Sequence, residues 1–193
     1  MSTLKGLLFN QFAAEGLTSL VEEMQSKYTA KKGRRFNYNN VTYEVSRPTL
    51  SEGTIEYEIS SKIPENEVKT PKQMQAFFQQ VKKFVSKGKF KPESMEMEDK
   101  VWDDKNDTEK KRDYVKLLYK LHLDDLFDDE QVAKRYKNIR EGGKDPDVPH
   151  SASAFTEAGN VVLADVRDTM KNIARDNINN LIDANKKIKG SLK

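Results

Sequence analysis

The order of apolar and polar positions divides the chain into segments of different period. Over residues 4–28, Leu4, Leu7, Leu8, Phe12, Leu17, Leu20, Val21, Met24 and Tyr28 recur at spacings of three, four and five. That spacing predicts an amphipathic helix, with a break allowed near Gly16. Ser19 followed by Glu22 is a capping-box pattern, so one kinked helix and two short ones both fit. Residues 34–61 change period. Phe36 and Tyr38, then Val41, Tyr43 and Val45, then Ile55, Tyr57 and Ile59 alternate with polar residues, the mark of a sheet with one buried face. Asn39-Asn40 separates the first two runs, and asparagine tolerates the positive φ of a tight two-residue turn. Such a turn sets Tyr38 opposite Val41, Phe36 opposite Tyr43, and Arg35 opposite Glu44 with matched charges. Pro48 to Gly53 provides the second connection, giving a three-stranded antiparallel meander.

Helical periodicity returns after residue 70. Thr70 is suited to an N-cap and Pro71 to the first turn. Met74, Phe77, Phe78, Val81 and Val85 share one face, and Gly88 follows as a stop. Residues 91–107 show no clear period and turn acidic, which predicts a linker. Tyr114, Leu117, Leu118 and Leu121 read as the stripe of a helix over about 107–122. Asp128 to Gln131 is a second capping-box pattern, opening a helix to about Arg140. Pro146 and Pro149 mark an exposed loop near 141–160. Leu163, Val166, Met170, Ile173, Ile178, Leu181 and Ile188 then predict a long amphipathic helix over about 161–189, with Asn177 and Asn185 interrupting its stripe.

The expected fold is therefore α+β and mainly helical. One three-stranded antiparallel meander at about 34–61 is flanked by helices, and a helical C-terminal part ends in a long amphipathic helix. The expected organisation is a helix–three-strand–helix module at 1–90, an acidic linker at 91–107 and a helical region at 108–193. Element order over 4–87 is similar to that of double-stranded RNA-binding domains, in order alone. The glycine-rich and histidine-containing loops of that family do not occur here.

Composition narrows the chemistry. Of 193 residues, 36% are hydrophobic and 34% charged, with a mean hydropathy of −0.84, poorer in core-formers than an ordinary domain. No window is apolar enough to span a membrane. The first 28 residues show no signal-peptide pattern, so a cytoplasmic protein is expected, or a virion component if viral. With no cysteine and two histidines, His122 and His150, disulfides, thiolate metal sites and thiol nucleophiles are excluded. No phosphate loop or zinc motif occurs. Asp124-Asp125 and Asp128-Asp129 are explained by compensation of a helix N-terminus. No catalytic residue, cofactor, metal or small-molecule substrate is predicted.

Charge is unevenly placed. Residues 1–92 carry a net +6, residues 93–147 a net −5 and residues 148–193 a net +2. Opposite charge in successive segments, together with amphipathic terminal helices, points to a non-catalytic assembly or connector protein. It would act through protein partners or self-association, a viral or phage structural component being one setting, with Val166, Met170, Ile173 and Leu181 as contact residues. The alternative is a nucleic-acid-binding accessory protein. Its basic clusters lie at 31–35 and 69–91, and the residues expected to meet phosphates are Lys31, Lys32, Arg34, Arg35, Lys72, Lys82, Lys83 and Lys87. The aromatic residues of the meander fit either a core face or a base-stacking platform.

Overall fold

A computed structural model describes residues 4–28, 34–51, 54–64, 67–104, 107–122, 125–126, 130 and 152–191. Helix α1 spans Leu4–Lys27. Strands β1 (Arg35–Tyr38), β2 (Val41–Val45), β3 (Thr49–Ser51) and β4 (Thr54–Lys62) follow, then helix α2 (Pro71–Val85). Strands β5 (Ser94–Asp104) and β6 (Asp107–His122) precede the last helix, α3 (Ala152–Ser191). All strand pairings are antiparallel, in the order β1-β2-β4-β6-β5, with β3 also on β4.

The meander forms as its alternation requires. Arg35, Phe36, Asn37 and Tyr38 lie opposite Glu44, Tyr43, Thr42 and Val41. Asn39 and Asn40 adopt φ of 50° and 63°, the left-handed pair that matches a hairpin turn to strand twist. Arg35 Nε meets Glu44 Oε2 at 2.6 Å. The connection around Pro48 contains a short strand of its own. β2 and β3 occupy one edge of β4 in succession, at 59–61 and 54–56. Between them Ser46 keeps the pairing alive: its N–H donates to the Glu58 carbonyl at 2.9 Å, and Glu58 N–H donates to Ser46 Oγ at 2.8 Å.

Two expectations are corrected here. The stretch read as an acidic linker is strand β5, and the residues read as a helix over 107–122 form β6. β6 lies inside the sheet, between β4 and β5, with Ile55, Tyr57 and Ile59 opposite Leu121, Tyr119 and Leu117. The fold is thus not mainly helical around a three-stranded meander. It is α+β, with a six-stranded antiparallel sheet and three helices among the described residues. The misreading has a specific cause. Val115, Leu117, Tyr119 and Leu121 alternate and are buried together, but Tyr114 and Leu118 are apolar on the opposite face. Their presence turns a period of two into a mimic of three and four. In β5 the alternating residues are Met95 and Met97 between Glu96 and Glu98, types with little strand preference. Of the proposed helix at 128–140 only Glu130 is described, as helical and exposed; its other residues and the start of the loop after it lie outside the described residues. From Ala152 onward that loop is already helix α3.

Three helices cover one face of the sheet. α3 is the one on which both others pack. Its stripe of Val166, Met170, Ala174, Ile178, Leu181 and Ile188 is buried against Phe36, Tyr43, Val45, Ile55, Tyr57 and Tyr119. Asn177 and Asn185 lie within the stripe. Asn185 Nδ2 donates to the Tyr43 hydroxyl at 2.6 Å and to Ser61 Oγ at 3.2 Å, and Asn177 Nδ2 reaches the Tyr57 hydroxyl at 3.5 Å. The aromatic rings stack in pairs, Tyr57 on Tyr119 and Phe36 on Tyr43, with centroids 5.1 Å apart in each. Burial pushes the Tyr43, Tyr57 and Tyr119 hydroxyls well above their ordinary range, so they stay neutral.

α1 is a single helix through Gly16. A methyl group at Gly16 would collide with the Arg167 carbonyl and Cα of α3, so the glycine sets how closely the two helices approach. Beside this contact Glu23 pairs with Lys171 at 3.1 Å and with Arg175. At the other end of α1, Gln25 Nε2 donates to the Arg35 carbonyl at 2.8 Å, which occupies an outward-facing acceptor of edge strand β1. α2 begins with a full capping box: Gln73 N–H donates to Thr70 Oγ1, and Thr70 N–H donates to Gln73 Oε1. Phe77, Val81, Phe84 and Val85 form its buried side.

Two predictions test this packing. In an exposed helix, Gly→Ala gains about 1 kcal/mol; here the methyl overpacks a backbone contact, and Gly16→Ala is expected to lose about 1–3 kcal/mol. A urea midpoint that falls in the variant with an unchanged slope is the expected result; a rise would remove the close approach. The Glu23 carboxyl is held below its usual range, first by Lys171 and also by Arg175. A lowered native pKa gives stability that is present above the unfolded carboxyl value and lost as pH falls through the native one. Being solvent-exposed, the network is worth about 0.2–1 kcal/mol. Glu23→Gln should therefore lower stability slightly at pH 7 and converge with the parent in acid.

Candidate functional site

The expected phosphate-binding residues separate into two groups. Lys31 and Lys32 lie outside the described residues. Arg35 is committed to Glu44. Arg34 is half-buried with Nη1 out of contact with water, and loss of solvation, then the nearby Arg47 charge, lowers its pKa. These arginines belong to the β1 edge that α1 covers. The α2 residues are different. Lys72, Lys82, Lys83 and Lys87 are all exposed. Among the described residues, no carboxylate pairs with any of them.

The water-facing side of α2 carries Lys72, Gln75, Gln79, Lys82 and Lys83 and no acid, and Lys87 follows just past its end. Stability alone accounts for part of this, since Lys82 and Lys83 in the last turn complement the helix dipole. It does not account for Lys72. The first turn of α2 contains no acidic residue and this one cation, against the dipole preference.

The structure adds residues that the spacing of lysines did not reveal. The C-terminal end of α3 comes alongside the end of α2, and Lys87 and Lys187 converge on one ring. Their ammonium groups lie 4.4 and 5.0 Å from the Phe84 centroid. Lys186 lies 5.0 Å from the ring of Tyr38. The sequence signal for this extension was the Lys186-Lys187 pair at the end of the apolar stripe. Of the first cluster, the described Arg34 and Arg35 lie at the β1 edge beside α1, whereas α2 packs on α3.

Next to Lys186 is a cavity of about 300 Å³, bounded by the β1–β2 turn, the segment after β4, and α3. Tyr38, Asn40, Lys62, Glu67, Asn185 and Lys186 are among its lining residues. Of the meander aromatics, Phe36, Tyr43 and Tyr57 are buried core, and Tyr38 is half-buried.

The expected partner-contact residues take a different place from the one foreseen. Val166, Met170, Ile173 and Leu181 all lie in the core of their own chain. His122 is exposed, 3.5 Å from Thr54 Oγ1. Among the described residues, no group of three His, Asp or Glu side chains is placed to hold a metal ion, and no helix is long and apolar enough to cross a membrane. Compared with known protein families, curated proteins and solved structures, the chain shows no match.

Burial of these residues changes what their substitution does. Leu181→Asp places a charge in the α3–sheet core, and Ile173→Asp one where 7% of the residue is exposed. Both are expected to unfold the chain. Circular dichroism showing loss of the cooperative transition is the check. A folded, lower-order species on size exclusion would instead restore these side chains as partner contacts.

Proposed function

We propose that the protein is a non-catalytic nucleic-acid-binding protein that docks on phosphates through the exposed face of α2 and the adjoining end of α3. The observation that carries this reading is the acid-free lysine and glutamine face of α2, including Lys72 at the helix end where stability favours an anion. Lysines held on a rigid helix neutralise backbone phosphates and release condensed counterions, and the glutamines between them donate to phosphate oxygens. The approach of Lys87 and Lys187 to the Phe84 ring supports the same reading, because it brings a cation of α3 next to the end of α2 and extends the basic surface.

A second reading, an assembly or connector role, draws support from the other end of the sheet. β4 pairs with β6 only over Tyr114–His122, whereas β5 follows β6 back to Asp107. The β5–β6 hairpin thus runs on as a two-stranded ribbon beyond β4. Edge strand β5 also carries Met97, 49% exposed. A long edge strand with an exposed apolar side chain is a pairing surface for another chain.

Fluorescence anisotropy of labelled oligonucleotides across a salt series tests the first reading. With four lysines engaged, log affinity should fall against log salt with a slope of about −3 to −4. Lys82→Glu with Lys83→Glu should weaken binding and reduce the slope by about 2, with a loss of stability limited to the helix-dipole effect, about 0.3–1 kcal/mol per residue, and a cooperative thermal transition retained. Absence of binding at low salt would overturn the reading. Concentration-dependent oligomers under those conditions would then favour the β5 edge.

A further inference from the structure

We infer that the cavity beside the β1–β2 turn is a subsite for a planar nucleobase carrying a phosphate, the base lying in the cavity and its phosphate at Lys186 of α3. The inference deepens the reading of α2 and α3 as a phosphate-binding surface and rests on it for its setting.

The geometry supplies each part of such a ligand. At about 300 Å³ the cavity is at the small end of the range for organic ligands. Its walls are mixed: Tyr38, Val41, Ile63 and Ile182 provide aromatic and apolar surface, which suits the face of a heterocycle. Acceptors lie among them. Glu67 brings a carboxylate. Asn185, 7% exposed, spends its amide hydrogens on Tyr43 and Ser61 while its Oδ1 has no hydrogen-bond partner among the described residues. That oxygen is enclosed by protein and belongs to the cavity wall, so the groups a heterocycle can reach are the amides at the rim. Asn39 and Asn40 stand exposed at the rim, where their amides both donate and accept.

The phosphate end follows from chain continuity. Lys186 lines the cavity and lies over Tyr38, while Lys187, the next residue, lies over Phe84 beside Lys87. Successive helix residues point about 100° apart, so a base in the cavity has its phosphate at Lys186, on the side of α3 next to the one that faces Phe84 and Lys87. Bases stacked and paired in a duplex cannot enter such a pocket, whereas a splayed single-stranded base can. The expected source of the base is a single strand, and a free nucleotide has the same chemistry.

Three titrations of the full chain separate the possibilities: a labelled single strand, a duplex of the same sequence, and adenosine monophosphate followed by amide shifts in NMR. Binding of the single strand in preference to the duplex is expected. Tyr38→Leu should weaken the single strand about fivefold or more and leave the duplex unchanged. Adenosine monophosphate should shift Asn39, Asn40 and Lys186 saturably. Because Tyr38 also packs on Tyr28, the shift map of the parent protein gives a reading independent of the variant's stability. Equal affinity for both nucleic acids, unaffected by Tyr38→Leu and still lost in the Lys82→Glu, Lys83→Glu variant, overturns the subsite and leaves the surface. Saturable nucleotide shifts with no oligonucleotide binding support the cavity and overturn the surface. No response to any of the three overturns both.

Discussion

The seating of α3 on the sheet is the constraint from which the other arrangements follow. A 40-residue helix with an apolar stripe has many nearly equivalent ways to lie on an aromatic sheet face, since hydrophobic contact is not directional. Asn177 and Asn185 reduce that freedom. Each is eight residues from the other on one side of the helix, and each meets a tyrosine hydroxyl of a different strand, Tyr57 on β4 and Tyr43 on β2. Sliding or rotating α3 would leave two amides and two phenols buried without partners. Each such loss costs about 1–3 kcal/mol, more than the roughly 1 kcal/mol gained by the bond itself. The pairs therefore select one seating more than they add stability.

With that seating fixed, both flanking helices acquire their places. Gly16 brings α1 close to the backbone at Arg167, a contact that uses no side chain and accepts none. The mid-helix glycine sacrifices about 1 kcal/mol of helix propensity for that approach. On the other flank, the bulky side of α2 is buried and its basic side faces water. The seating also determines which charges meet. Lys186 and Lys187 reach Tyr38 and Phe84 only because α3 extends as far as the β1–β2 turn. The candidate surface and the cavity are consequences of helix register, and residues far apart in sequence form them.

Local elements were legible in the sequence where local rules decide them. The Asn39-Asn40 turn with its register, and the Thr70-Pro71 start of α2, are set by a few neighbouring residues with specific backbone demands. β6 was not legible, because an interior strand with apolar residues on both faces loses its alternation. Tyr114 and Leu118 are the residues that erase it. β5 was hidden by composition: methionine and glutamate alternate there, and neither marks a strand strongly. Asn177 and Asn185 look like interruptions of a stripe until the tyrosines opposite them are known. The exposed lysines of α2 were identified from spacing alone. Their joining to α3, and the separation of Arg34 and Arg35 from them, depended on tertiary contacts that no sequence window contains.

The distribution of polar groups gives the fold two kinds of cation. Lys116 lies between Glu58 and Glu98, Lys120 faces Glu56, and Arg35 faces Glu44, so the sheet face opposite the helices balances its own charge across strands. Lys171 and Arg175 share Glu23 in the same way. The α2 lysines depart from this pattern, although the chain has acids enough to pair them. Among the described residues, the cations of the sheet and of the α1–α3 contact meet carboxylates and the run of lysines on α2 meets none, which holds an electrostatic potential there at some cost in self-repulsion. That cost is relieved when an external anion arrives. It is this contrast within one molecule, rather than the modest net charge of the chain, that favours a polyanion as the partner of α2.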